Sequence, residues 1–260
     1  MKRLAPVFFL LVWVSGFMWA QNSVNPHEDA LQKLFENADA REPEALYRLA
    51  RLYETGFDTI QKDSLKSMAL YFSAAEKGFA PAMNYIGFKI YNEKSPEQSL
   101  DSALYWIRKA AYQGDVTAAA NLGYLLTEGP EIANDNSEAL DWLAVAADGG
   151  MPAAQMKLVE VAERLGTPKA LALLGDAYSK GRGVVYDHEK SIRYFYEAAL
   201  GGNSSAQFIV AELLDFFPDT FKEESAEFWY DKAALGGVTD SESAYSQLYS
   251  LPELNQSEGK

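Results

Sequence analysis

The side chains that could carry catalysis are few. His27 and His188 are the only imidazoles in 260 residues, so a Ser-His-Asp arrangement or a histidine metal site has almost no material. Cysteine is absent, which removes thiol nucleophiles, zinc ribbons and disulfide scaffolds together. Asp187 beside His188 invites a metal, and three carboxylate pairs could work as acid and base: Asp187 with Glu189, Glu160 with Glu163, and Glu223 with Glu224. With 37 acidic side chains and no substrate cleft implied, solvated faces and first-turn helix charges account for these pairs better. Ser257 and Lys260 have the serine-to-lysine spacing of penicillin-binding proteins, but they sit in a terminal tail. No Walker loop, dinucleotide fingerprint or nucleophile elbow occurs. The sequence points to no catalytic residue, no metal ligand and no cofactor.

Composition narrows the remaining classes. A formal charge of −14 and a pI near 4.6 exclude a nucleic-acid binder, which needs a basic surface to neutralise phosphates. Hydrophobic content of 48% with 13% aromatics is too high for an acidic disordered chain, so the protein folds. Lys2 and Arg3 precede an uncharged stretch from Leu4 to Ala20, the pattern of a secretory signal peptide cut after Ala20. About 17 apolar residues is at the lower limit for spanning a bilayer, so an uncleaved anchor is the weaker alternative. Cleavage removes two basic side chains and takes the charge from −14 to −16, leaving an exported chain with no stable membrane span. A leader without disulfides fits a bacterial periplasm or secretion route.

The elements that would position any site come from an internal repeat. An alanine pair followed by glycine recurs at Ala74-Ala75-Gly78, Ala110-Ala111-Gly114, Ala146-Ala147-Gly150, Ala198-Ala199-Gly202 and Ala233-Ala234-Gly237, with glycine spacings of 36, 36, 52 and 35. Four residues after each glycine stands a small residue, Ala82, Ala118, Ala154, Ala206 or Ser241. An apolar-small pair follows one turn later, as at Ile86-Gly87, Leu122-Gly123 and Leu174-Gly175. Small residues at helical spacing let antiparallel helices approach closely, and the glycine ends a helix in the left-handed conformation so that the chain can reverse. Aromatics three or four residues before each alanine pair share its face and read as packing.

Helix pairs of 35 to 37 residues that bury themselves only against neighbours make an α-solenoid. The stretch Ala170–Gly202, with Leu174-Gly175, Tyr178, Gly181-Arg182-Gly183-Val184, Asp187, Lys190, Tyr194-Phe195, Ala198-Ala199 and Gly202, resembles the Sel-one-like repeat (SLR) family, a relative of the tetratricopeptide repeats. The resemblance covers roughly residues 30 to 250 and implies an all-α, right-handed solenoid of antiparallel helix pairs. It also places His188 at a variable loop position. The Gly-x-Gly-Val loop is kept only at Gly181–Val184; elsewhere the loops carry Gly56-Phe57-Asp58, Pro96, Gly129-Pro130 or Phe217-Pro218.

The 16 residues from Ala154 to Lys169 hold one helix where a pair is expected, a truncated repeat. A bend there divides the expected chain into a leader at 1–20, an N-terminal stack with a capping helix at 28–150, a C-terminal stack at 152–250 and a flexible tail at 251–260.

By resemblance to tetratricopeptide folds, the first helix of each pair lines a concave groove. The groove positions are then Tyr47, Arg51 and Glu54; Asn84, Phe88 and Tyr91; Tyr124 and Thr127; Met156, Glu160 and Glu163; Asp176 and Ser179; and Phe208, Glu212 and Asp215. Tyr47, Arg51, Asn84, Phe88, Tyr91, Tyr124, Asp176, Phe208 and Glu212 form the expected partner-binding set, aromatic toward the N-terminus and acidic toward the C-terminus. The expected role is a non-catalytic scaffold, adaptor or regulator of the bacterial cell envelope that holds a peptide or protein segment, favouring a basic one. A carbohydrate- or polysaccharide-associated scaffold using the same aromatics is the alternative. An envelope enzyme acting on peptidoglycan or β-lactams is the third class, and some SLR proteins have been associated with β-lactams.

Overall fold

The structure is a computed structural model and describes residues 26–93, 100–128, 136–221 and 224–249. The expected leader at 1–20 and the tail at 251–260 lie outside the described residues, as do Pro96 and Gly129-Pro130. Among the described residues there are thirteen α-helices, and the only bridge pairing joins Phe57 to Ile60. The described residues fall into two compact units, one ending at Ala82 and one beginning at Met83.

The first unit contains α1 (Pro26–Asp39), α2 (Pro43–Thr55) and α3 (Ser64–Glu76), with α1 packed on α2 and α2 on α3. Proline at the start of α2 needs no amide partner there, and Asp63 starts α3 by accepting from the Lys66 amide at 2.9 Å. Tyr71, Ala74 and Ala75 are fully buried, and the buried Ser67 hydroxyl donates to the Ala50 carbonyl of the paired helix at 2.9 Å. The Phe57–Ile60 bridge closes the loop between the paired helices.

The second unit takes in α4 (Ala80–Glu93) from Met83 onward, then α5 (Leu100–Tyr112), α6 (Val116–Glu128) and α7 (Asn136–Asp148). It continues with α8 (Pro152–Leu165), α9 (Pro168–Lys180), α10 (His188–Leu200), α11 (Ser204–Phe216), α12 (Ala226–Leu235) and α13 (Ser241–Leu248). Helices α6 and α7, α9 and α10, and α11 and α12 are packed pairs. Asp115, Asp187, Asn203 and Ser225 each cap a helix through the amide three residues on, at 2.8 to 3.3 Å. The alanine pairs Ala110-Ala111, Ala146-Ala147 and Ala198-Ala199 are buried, as are Trp142, Phe195 and Trp229 of the aromatic stripe.

Close approach explains the apolar-glycine motif. A Cβ on Gly175 would lie 2.8 Å from the Phe195 ring, and one on Gly123 would lie 2.6 Å from Leu143, each on the partner helix of its pair. Ser191 makes the matching hydrogen bond, donating to the Gly175 carbonyl at 2.8 Å.

Helix α8 stands without a second helix. It packs on α7 before it and α9 after it and touches α6, with Gly166 in the left-handed conformation (φ 59°) ending it. The loop after α9 accounts for the one intact Gly-x-Gly-Val sequence. Gly183 has φ 72° and lies so close to α8 that a Cβ would meet the Gln155 backbone at 2.6 Å.

Candidate functional site

In the first unit, the groove positions of α2 are partly occupied by packing. The Tyr47 ring lies edge-on to Tyr71 at 5.5 Å and tilted against Phe79 at 5.3 Å. Glu54 accepts the Tyr71 hydroxyl at 3.0 Å, while Arg51 is exposed. An open depression of about 740 Å³ lies over the α2–α3 loop, walled in part by Phe35, Tyr53, Ile60, Asp63, Leu65 and Lys66. Three of its polar groups are engaged: Asp63 caps α3, and the Lys66 ammonium donates to the Tyr53 hydroxyl at 2.6 Å.

In the second unit, α4 and α6 are joined on their first-helix face by a hydrogen bond from Asn121 Nδ2 to Asn84 Oδ1 at 2.9 Å. One turn beyond this bridge stand Phe88 on α4 and Tyr124 on α6, placed on the same side by helical spacing. Phe88 is 45% exposed; Tyr91 and Tyr124 are half-buried. The Thr127 hydroxyl is turned back onto the Tyr124 carbonyl at 2.7 Å. On α8, Met156 and Glu163 are exposed, and Glu160 pairs with Lys157 at 2.9 Å.

The expected groove positions of α9 and α11 are covered. Asp176, Phe208 and Glu212 are not on a free surface, because α13 folds back onto α11 and reaches α9. Phe208 is buried with Ala233, Val238 and Ala244, and its ring meets Tyr230 edge-on at 5.2 Å. Glu212 accepts from the Ser241 hydroxyl at 2.9 Å, and Gln247 bridges Ser205 at 3.2 Å to the Gly236 carbonyl at 3.2 Å. Asp215 accepts the Tyr230 hydroxyl at 2.8 Å; burial, aided by that carboxylate, pushes Tyr230 up to about 12.

Asp176 is the centre of a polar cluster. Its carboxylate, buried to 6% exposure, receives the Tyr249 hydroxyl at 2.5 Å and lies 2.5 Å from the Lys180 ammonium. Arg182 stands 3.7 Å from it and 3.0 Å from Asp148 at the end of α7. The Tyr245 hydroxyl donates to Asp148, and Lys180 lies over the Tyr245 ring, 4.4 Å from its centroid. Burial raises the Tyr249 pKa above the ordinary tyrosine value, and the Asp176 charge and hydrogen bond raise it further. The helix α13 could be suspected from Tyr245 and Tyr249, an aromatic pair at i and i+4 after the last repeat glycine.

Of the candidate catalytic carboxylates, Asp187 and Glu224 serve structural hydrogen bonds, Glu160 pairs with Lys157, Glu163 and Glu189 are exposed, and Glu223 lies outside the described residues. Asp187 caps α10 through the Lys190 amide at 3.0 Å, which holds its carboxyl below the usual range, and His188 beside it is exposed. Glu224 accepts from the Trp229 indole at 2.7 Å and the Tyr196 hydroxyl at 3.2 Å. Among the described residues, no group of three or more His, Cys, Asp or Glu side chains could hold a metal ion. No helix among them is long and apolar enough to cross a membrane.

Five stretches, residues 43–79, 80–115, 116–151, 168–203 and 205–238, match the Sel1 repeat. The chain belongs to the Sel1 repeat family. The gap in the series, between 151 and 168, falls on α8, the unpaired helix. The Sel1 repeat chain is 27% identical over 244 residues to chitin synthase regulatory factor 4 of Schizosaccharomyces pombe, covering 89% of this chain and 36% of that protein. It is 30% identical over 160 residues to the chitin synthase regulator SKT5 of Saccharomyces cerevisiae, covering 60% of this chain and 20% of that one. The chain thus spans well under half the length of these curated relatives. Among solved structures it is similar to a protective antigen of uropathogenic Escherichia coli with an SLR fold, at 25% identity and a TM-score of 0.45, covering 84% of this chain and 58% of that one. A Sel1 repeat protein of Oxalobacter formigenes matches at 25% identity and a TM-score of 0.42, covering 74% and 85%.

Proposed function

We propose that this Sel1 repeat protein is a non-catalytic interaction scaffold of the bacterial cell envelope that holds a peptide or protein segment on the first-helix face of its repeats. The observation that carries the proposal is the face at α4 and α6. There an asparagine bridge sets the spacing of the two helices, and Phe88 and Tyr124 follow it by one turn, with nearly half of Phe88 open to solvent. Aromatic side chains on a rigid helical frame lose little entropy on binding and are the residue types that anchor interfaces. Three of the carboxylates that might have served acid–base chemistry, Asp187, Glu160 and Glu224, are engaged in a cap, an ion pair and hydrogen bonds, which supports a binding role over a catalytic one.

The export signal at Lys2 to Ala20 supports the envelope location, and N-terminal sequencing of the mature protein tests it by whether Gln21 is the first residue. The yeast relatives bear names of regulators of chitin synthase, an enzyme that makes a polysaccharide. That favours, as a second reading, a scaffold acting on envelope polysaccharide machinery.

The deciding experiment is affinity capture from an envelope extract. It compares the mature protein with a Phe88→Ala, Tyr91→Ala, Tyr124→Ala variant whose fold is verified by circular dichroism. A protein retained by the wild type and lost by the variant supports the scaffold. Identical captures overturn the assignment of this face. Purified polysaccharide binding lost on the same variant, with no protein captured, transfers the face to the second reading.

A further inference from the structure

Helix α13 lies on the first-helix face as a ligand would. It packs on α11, crosses to α9, and with Tyr249 presents two phenol hydroxyls to Asp148 and Asp176. We propose that Asp148, Asp176, Lys180 and Arg182 form a docking site for a partner's helical segment carrying two unmodified tyrosines four residues apart, and that Tyr245 and Tyr249 are its resident occupants. This rests on the preceding reading, that the first-helix face takes a protein segment.

The receiving groups are arranged by elements other than α13. Arg182 joins Asp148 at 3.0 Å to Asp176 at 3.7 Å, and Lys180 holds the other Asp176 oxygen at 2.5 Å. They come from the end of α7, from α9 and from the turn after it, and that turn is fixed against α8 by the contact at Gly183. Without α13 the two acids and two bases remain paired with one another, and Asp176 loses its hydroxyl donor.

The chemistry of the site selects its ligand. Each carboxylate accepts one phenol hydroxyl, Lys180 sits over the face of the first ring, and the second ring lines a small void together with Ala147, Leu158, Leu173 and Ala177. A phenylalanine would present the same ring and leave Asp176 without its hydroxyl donor. A phosphotyrosine would bring two further negative charges against two carboxylates.

The resident helix is short and depends on its docking contacts. Eight residues are too few for a helix to persist alone, and of these Ala244 and Leu248 are the buried ones. Tyr245 remains 39% exposed, and Gly236-Gly237 join the segment to α12. Tethering nonetheless gives α13 an effective concentration on the order of millimolar, so a free segment gains access only when the tethered one is weakened.

The test uses the full chain and, as probe, a fluorescent N-acetylated peptide of residues 239–249. Wild type is compared with a Tyr245→Ala, Tyr249→Ala variant; if that variant loses helical circular dichroism, Tyr245→Phe, Tyr249→Phe replaces it. The expected result is peptide binding at least about tenfold tighter to the variant than to wild type. It should be lost on adding Asp176→Ala, lost with a peptide whose tyrosines are phenylalanines, and lost with phosphotyrosine at the second position. Equal binding by wild type and variant, or binding indifferent to the peptide hydroxyls, overturns the proposal. Neither result depends on Phe88, Tyr91 or Tyr124, so peptide binding can fail while capture on that face succeeds, and the reverse.

Discussion

Tyr249 donates its hydroxyl to Asp176 at 2.5 Å across 73 residues of chain, tying the segment after α13 to the first helix of the fourth repeat. Burial and the Asp176 carboxylate both disfavour the phenolate, so the folded pKa lies above the unfolded value of 10. The stabilisation this supplies is fully present below pH 10 and is lost as pH rises through the folded value. A spectroscopic titration of tyrosinate should therefore show two late groups, Tyr230 at about 12 and Tyr249 beyond it. Tyr249→Phe should remove only the later. A single uniform tyrosine titration would show that the Asp176 contact does not persist in solution.

The glycines separate into two mechanical kinds. Gly202 has φ 92° with nothing within 4 Å of a built Cβ, so Gly202→Ala meets only the left-handed backbone cost of about 1–2 kcal/mol. Gly175 is helical and its Cβ would press on the Phe195 ring, so Gly175→Ala forces the α9–α10 pair apart, costing about 1–3 kcal/mol. Gly183 combines both burdens, with φ 72° and the Gln155 backbone at 2.6 Å, and Gly183→Ala should exceed either. Urea unfolding of the three variants checks the order. A Gly183→Ala no worse than Gly202→Ala would mean that the loop does not rest on α8.

The fold was legible because each repeat states its own packing. Ala74-Ala75 and Gly78 recur with the residues that face them, and Gly166 followed by Pro168 marks the end of the unpaired α8 without any tertiary information. The first-helix positions were legible for the same reason: Asp176 and Glu212, placed on that face by counting from Ala170 and Ala206, are the residues that α13 meets. What lands on such a face was not legible. Periodicity tells which side of α11 is apolar at Phe208, but where the series ends, the partner of that side is chosen by long-range packing that leaves no period. Tyr47 shows the same limit, since a large aromatic at a groove position serves equally well against Tyr71 and Phe79.

Phe88 and Phe208 occupy related first-helix positions with opposite environments. Phe88 is 45% exposed, so Phe88→Ala should change stability by less than about 0.5 kcal/mol while weakening partner capture. Phe208 is 7% exposed beneath Ala244, and Phe208→Ala should cost about 3–5 kcal/mol and release α13. Thermal unfolding with amide exchange of α13 distinguishes them. Comparable stability losses would show that Phe88 packs against the chain rather than facing a partner.

The hold on α13 also has an acid limit. Asp240 starts the helix by accepting from the Ser243 amide at 2.7 Å, and the Asp240 amide donates to the Ser243 hydroxyl oxygen at 3.2 Å, a reciprocal cap. The Ser243 amide bond, seconded by its hydroxyl, holds the Asp240 carboxyl below 3.8, so its stabilisation is complete above the unfolded value and disappears as pH falls through the lowered one. Asp187 behaves likewise on α10, through the Lys190 amide. Because α13 is eight residues long and α10 is thirteen and paired with α9, loss of the cap should matter more for α13. Amide exchange measured across the acid range should show Ser243 losing protection before Lys190. In Asp240→Asn, where an uncharged side chain accepts the same bond, protection of Ser243 should become independent of pH over that range. Persistence of the acid transition in that variant would assign it to another carboxylate.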